Sequence, residues 1–147
     1  ETHFIPTFEN NDKYVYLFRS WRVLLQTAEK TNNIWVYNFD KKINEIRNLH
    51  KKLQNRHNFD DDDDKFEDDL PKFLTSISSY QLEALINNIT KNVVCFEDSI
   101  IQFYTTHSYK GMEHDNIRLA NDIDLTEDEN IYYVAITRGM KKIVIDD

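Results

Sequence analysis

Two polar blocks in the last third of the chain carry residue types suited to chemistry on a nucleotide. The first is Thr106-His107-Ser108-Tyr109-Lys110-Gly111-Met112-Glu113-His114-Asp115, and the second is Asn130-Ile131-Tyr132-Tyr133-Val134-Ala135-Ile136-Thr137-Arg138-Gly139. A carboxylate such as Glu113 accepts hydrogen bonds from hydroxyl donors. An arginine such as Arg138 can stabilise charge on phosphoryl oxygens. Each block lies between an apolar run and a turn, which is the placement a nucleotide-handling surface at the edge of a parallel sheet needs.

The elements that must position these blocks follow from hydrophobic periodicity. Lys13 to Phe18 is a short aromatic and β-branched run suited to a buried strand. Ser20 is then an N-cap for a helix through Lys30, with Trp21, Leu24, Leu25 and Ala28 on one face. Ile34 to Phe39 supplies a second strand, so strand, helix and strand form the unit of a mostly parallel sheet. Lys41 to His57 carries Ile43, Ile46, Leu49 and Leu53 at helical spacing under a basic outer face. Pro71 to Thr90 reads as a second helical region, capped by Ser78 or Ser79, with Leu82, Leu85, Ile86 and Ile89 as its stripe.

Strand character returns at Ile100 to Tyr104, followed by a polar loop over Thr105 to Gly111 and a further strand over Asn116 to Ala120. Thr126-Glu127-Asp128-Glu129 is a capping box that predicts a helix running to about Arg138, with Gly139 at its end. Lys142 to Ile145 is a final strand. The fold class is therefore α/β, a mostly parallel sheet flanked by helices.

Composition limits the function classes. The 147 residues suffice for one domain with a core, which at this size buries roughly 70% of the unfolded surface. No apolar run approaches the ~20 residues of a membrane helix, and no signal-like segment opens the chain, so no membrane partner is expected. A single cysteine rules out an internal disulfide framework and fits an intracellular, reducing compartment. Cys95, in the stretch Val93-Val94-Cys95-Phe96, reads as a buried packing thiol. The net charge of -8 argues against gripping nucleic acid by bulk electrostatics. Much of it is local, however, in an acidic loop over 58–69 that holds Asp60 to Asp64, Glu67, Asp68 and Asp69.

Together the two blocks resemble the last two motifs of the UvrD/Rep-like branch of superfamily one DNA helicases, T-x-H-x-x-K-G-x-E and Y-V-A-x-T-R-A. Tyr16-Leu17-Phe18-Arg19-Ser20 is similar to the aromatic-R-[ST] block that opens the second RecA-like domain of the same family. The resemblance implies that residues 1–147 form that second RecA-like motor domain, with a short helical insertion at about 40–92.

The resemblance also implies roles, residue by residue. Arg138 matches the arginine finger and is the catalytic candidate, since a positioned arginine contributes ~10³ to 10⁵ in rate in related NTPases. Arg19 matches the arginine that reaches the γ-phosphate, and Glu113 matches the glutamate that binds the ribose. Lys110 and Gly111 complete the nucleotide-binding block, the lysine by its charge and the glycine by allowing close backbone approach. Thr106 and His107 are assigned to the pair that lies against the single-strand track and couples it to the ATP site, although the T-x-H spacing counted back from His107 falls on Thr105. Each position also has a plainer reading. Arg19 is then an exposed strand-end arginine, His107 a surface residue, and Arg138 a helix-terminal arginine worth about 0.3–1 kcal/mol against the macrodipole.

The chain departs from the family pattern at His114, Gly139 and Met112, where an aromatic residue, alanine and leucine are usual. The basic helix with Lys41, Lys42, Arg47, Lys51, Lys52 and Arg56 is read as a solvated face balanced by the acidic run rather than as a nucleic-acid contact. Both glycines, Gly111 and Gly139, are followed by Met, so no P-loop is present in this sequence. The resemblance then implies an ATP site shared with an N-terminal P-loop domain of the same protein. That domain would hold Mg²⁺, single-stranded DNA would be the partner, and this portion alone would be inactive. The opening Glu1 in place of Met fits a portion of a longer protein. The alternative is a catalytically degenerate helicase-like module for DNA binding or protein interaction.

Overall fold

The computed structural model describes residues 3–55, 69–124 and 141–147. Its six strands are β1 (His3–Phe4), β2 (Tyr14–Phe18), β3 (Ile34–Val36), β4 (Ile101–Thr105), β5 (Asn116–Leu119) and β6 (Lys142–Ile145). They form one sheet in the order β1-β6-β5-β2-β4-β3, and every pairing is parallel. Four helices are described: α1 (Trp21–Glu29), α2 (Phe39–Gln54), α3 (Leu70–Thr75) and α4 (Ser79–Asn92).

β2 lies between β5 and β4, and its Tyr-Val-Tyr-Leu-Phe run is apolar without alternation because both faces are covered. Tyr16 and Phe18 face the helices with Phe103, Ile34 and Val36, and the Phe18 and Phe103 rings sit 5.0 Å apart. Leu24, Leu25 and Ala28 of α1, Ile43, Ile46 and Leu53 of α2, and Leu82, Leu85, Ile86 and Ile89 of α4 complete this layer. On the opposite face Val15 and Leu17 join Ile117, Leu119 and Ile143, under Tyr104, Tyr109 and Ile123.

The helix ends follow local chemistry. Ser20 caps α1, its hydroxyl accepting from the Val23 N–H at 3.2 Å. Ser78 and Gln81 form a reciprocal capping box at α4. The helical region expected over Pro71 to Thr90 is thus two helices, α3 and α4, with Ser78 as the cap of the second. The second strand is also shorter than expected. It stops at Val36 because Asn38 takes a left-handed conformation (φ 55°) that turns the chain into α2 at Phe39.

Cys95 does not pack in the core. It is exposed after α4, and its thiol donates to Asp98 Oδ2 at 2.9 Å. That hydrogen bond, first among the influences on it, pushes the thiol pKa up. Apolar neighbours in sequence misled here because the chain leaves the helix extended at Val93 and Cys95, and Phe96 starts an exposed 3₁₀ turn.

Two residues of the basic face of α2 have partners among the described residues. Arg47 makes two parallel bonds to Glu83 of α4 at 2.9 and 3.0 Å. Lys42 lies over the Trp21 ring, 5.2 Å from its centroid. Residues 60–64, 67 and 68 of the acidic run and Arg56 lie outside the described residues. Asp69, at the edge of that run, pairs with Arg22.

α2 buries one residue that periodicity did not single out. His50 is almost fully enclosed, with Nε2 2.9 Å from the Ile77 carbonyl, and ties α2 to the break between α3 and α4. Among the described residues no helix is long and apolar enough to cross a membrane.

Candidate functional site

The carboxyl ends of β2, β4 and β5 lie side by side in the middle of the sheet. Phe18 is in register with Thr105, and the next rung continues the ladder, the Thr106 N–H donating to the Phe18 carbonyl at 2.9 Å. Arg19 and Thr106 are thereby neighbours at one edge of the sheet. On the other side the Ala120 N–H donates to the Leu17 carbonyl at 3.0 Å, extending the pairing of β5 with β2. Such an edge is where open α/β sheets place ligand contacts.

Thr106 is buried, whereas His107 is exposed in the turn that follows. That turn is closed by Ser108, whose hydroxyl donates to the Thr105 carbonyl at 2.9 Å and lies 3.0 Å from Thr105 Oγ1. β4 and β5 are both parallel to β2 and flank it, so the segment from Thr106 to Asp115 must descend the height of the sheet between them. It does so on the face away from the helices, anchored by Tyr109 and Met112.

Lys110, Gly111 and Glu113 are exposed along this crossing. They are on the same loop as Thr106 and His107, Lys110 and Gly111 in the turn that directly follows β4 and Glu113 just beyond it. Gly111 has φ 80°, and a Cβ there would meet nothing within 4 Å. Its left-handed backbone, rather than a close approach, is what calls for glycine. His114 accepts from the Asn116 N–H through Nδ1 at 3.0 Å, so the residue that replaces the usual aromatic serves the entry to β5.

Tyr109 is the buried anchor of the loop. Its ring meets Tyr104 edge-on at 5.3 Å, and its hydroxyl is buried without a hydrogen-bond partner among the described residues. Burial, then the neighbouring Tyr104 and Glu113, push its pKa well above the ordinary phenol value.

Sequence reasoning passed over Asp122. Its carboxylate accepts from the Arg19 N–H at 3.1 and 3.2 Å and from the Ser20 N–H at 2.9 Å. α1 has no acidic residue in its own first turn. Asp122 provides that negative charge from the loop after β5, where the helix dipole favours it. The only sequence signal was an acidic residue placed just beyond a strand.

A family model described as the UvrD-like helicase C-terminal domain matches residues 5–146. The chain belongs to this family. Its all-parallel, helix-flanked sheet is the α/β architecture of a RecA-like domain. F-box DNA helicase protein 1 of Schizosaccharomyces pombe is 35% identical over a stretch covering 34% of this chain and 8% of that protein. The chain thus matches only a small part of that relative's length. No solved structure matches significantly.

Within this UvrD-like helicase C-terminal domain, Arg138 and the helix expected from Thr126 lie outside the described residues. Among the described residues no group of three or more His, Cys, Asp and Glu side chains is arranged to hold a metal ion.

Proposed function

We propose that this UvrD-like domain is the C-terminal motor half of an ATP-dependent DNA helicase, working with a P-loop domain elsewhere in the same protein. In this reading Arg19, Lys110, Gly111 and Glu113 bind the nucleotide, and Arg138 is the arginine finger. Thr106 and His107 touch single-stranded DNA and couple it to the ATP site, and Mg²⁺ is held by the P-loop domain.

The observation that carries the reading is the hydrogen bond from Thr106 to Phe18, which joins the DNA-side loop to the backbone beside Arg19. A ligand that moves the loop would move the arginine. The chemistry assigned to this domain is electrostatic: cationic side chains stabilise charge that develops on the transferred phosphoryl group. Glu113, exposed on the crossing loop, accepts from sugar hydroxyls.

The test is the ATPase rate of the full-length protein with and without single-stranded DNA, beside the Arg138→Ala variant. The expected result is DNA-stimulated turnover that falls by roughly 10³-fold or more in the variant with nucleotide binding retained. Near-normal turnover in Arg138→Ala would remove the finger assignment. No turnover by the unsubstituted protein, together with DNA binding, would favour the degenerate module.

A further inference from the structure

We propose that Asp122 is a positioning residue which clamps the backbone beside Arg19 and so holds that arginine in register with the Thr106–His107 loop. The argument turns on one peptide group. The Phe18 carbonyl and the Arg19 N–H belong to the same planar unit. Its oxygen accepts from the Thr106 N–H at 2.9 Å, and its N–H donates to the Asp122 carboxylate at 3.1 Å. The plane is therefore gripped from the β4 side by the loop and from the β5 side by Asp122. The adjacent Ser20 N–H donates to the same carboxylate at 2.9 Å, which fixes the orientation of the Arg19 backbone on both sides of its Cα.

Asp122 is itself held in place. Ile123, next in sequence, is buried in the face opposite the helices, and its N–H donates to the Ala120 carbonyl at 3.2 Å. The carboxylate thus holds the two N–H groups that immediately precede α1. Charge-assisted bonds of this kind are roughly twice as strong as neutral ones, so the clamp is rigid enough to transmit a shift of the loop.

The nucleotide half of this inference rests on the motor reading above, whereas the clamp itself does not. The test uses the full-length protein and its Asp122→Ala and Asp122→Asn variants, with two readouts. Hydrogen exchange at the Arg19 and Ser20 amides should quicken at least about tenfold in Asp122→Ala, while β4 amides stay within about twofold. A fluorescent ATP analogue should bind at least about fivefold more weakly, and single-stranded DNA should alter that affinity less than in the unsubstituted protein. Asp122→Asn keeps an acceptor oxygen and should restore most of both.

Unchanged exchange at Arg19 and Ser20 would overturn the clamp. Faster exchange with unaltered nucleotide affinity and unaltered DNA response would leave Asp122 a helix cap and overturn its link to function. Should Asp122→Ala fail to fold, Asp122→Asn compared with Asp122→Glu decides on the same readouts, because the longer side chain keeps the charge and displaces the acceptor. If the unsubstituted protein binds no nucleotide with or without DNA, the motor reading fails, and the exchange rates alone decide the clamp.

Discussion

Asp146, just after β6, accepts from Arg118 Nε of β5 at 2.7 Å and also from the Tyr16 hydroxyl of β2. Arg118 in turn lies over the Tyr16 ring, 4.5 Å from its centroid. The three side chains stitch three neighbouring strands together beyond their backbone ladders, on the face that carries the helices elsewhere.

Asp146→Ala should therefore destabilise the domain by about 1–3 kcal/mol, because it leaves a partly buried guanidinium and a phenol without their acceptor. Arg118 is about one-third exposed, which places the effect toward the lower end. The midpoint of urea unfolding measures it. A midpoint equal to that of the unsubstituted protein would show that water replaces the carboxylate at no cost.

Tyr109→Phe should act in the opposite direction. The hydroxyl is buried and has no partner among the described residues, so removing it relieves a desolvation penalty of about 1–3 kcal/mol while leaving the ring against Tyr104. The variant should unfold at higher denaturant, and a lower midpoint would mean that the hydroxyl finds a partner in solution.

Alkaline pH should destabilise the fold through its buried phenols. Burial, first, and then Asp146 push the Tyr16 pKa well above the ordinary phenol value, and burial does the same for Tyr109 and Tyr104. A raised folded pKa means that the folded chain keeps a proton the unfolded chain releases. The stabilisation is full below the unfolded value of about 10 and is lost as pH rises beyond it. Part of the tyrosine absorbance change at 295 nm, that of Tyr16, Tyr104 and Tyr109, should appear only as the chain unfolds. Completion of that change before unfolding would contradict the burial.

Gly111→Ala should cost about 1 kcal/mol through its left-handed φ of 80° and nothing through crowding, since the space a Cβ would take is open. Gly111→Asn should cost less, because asparagine tolerates this conformation better. Thermal unfolding of the two variants checks the order; equal losses would point to a role for the glycine beyond its backbone.

Much of the fold was legible in residue order because the signals are local. The serine caps of α1 and α4 and the apolar stripes of α1, α2 and α4 are written within a few turns of helix. The continuous apolar run of β2 announced a strand covered on both sides. The resemblance to UvrD/Rep-like helicases, carried by short blocks, pointed to the family that the chain belongs to. Where local signals misled, a turn intervened: Asn38 ended β3 early, and the chain left α4 so that Cys95 faced outward.

By itself, then, the sequence determined most of the helices and strands, though not β1, a mostly parallel sheet, and which residue types line the two polar blocks. Only the tertiary structure decided that Arg19 and Thr106 share a strand edge, joined through the Thr106 N–H and the Phe18 carbonyl. It alone revealed Asp122 on the Ser20 amide across 102 residues of chain, and Asp146 on Arg118. The physical reason is range. Caps and periodicity are set by neighbours within a turn or two, whereas contacts between distant residues exist only after strand order has brought their ends together.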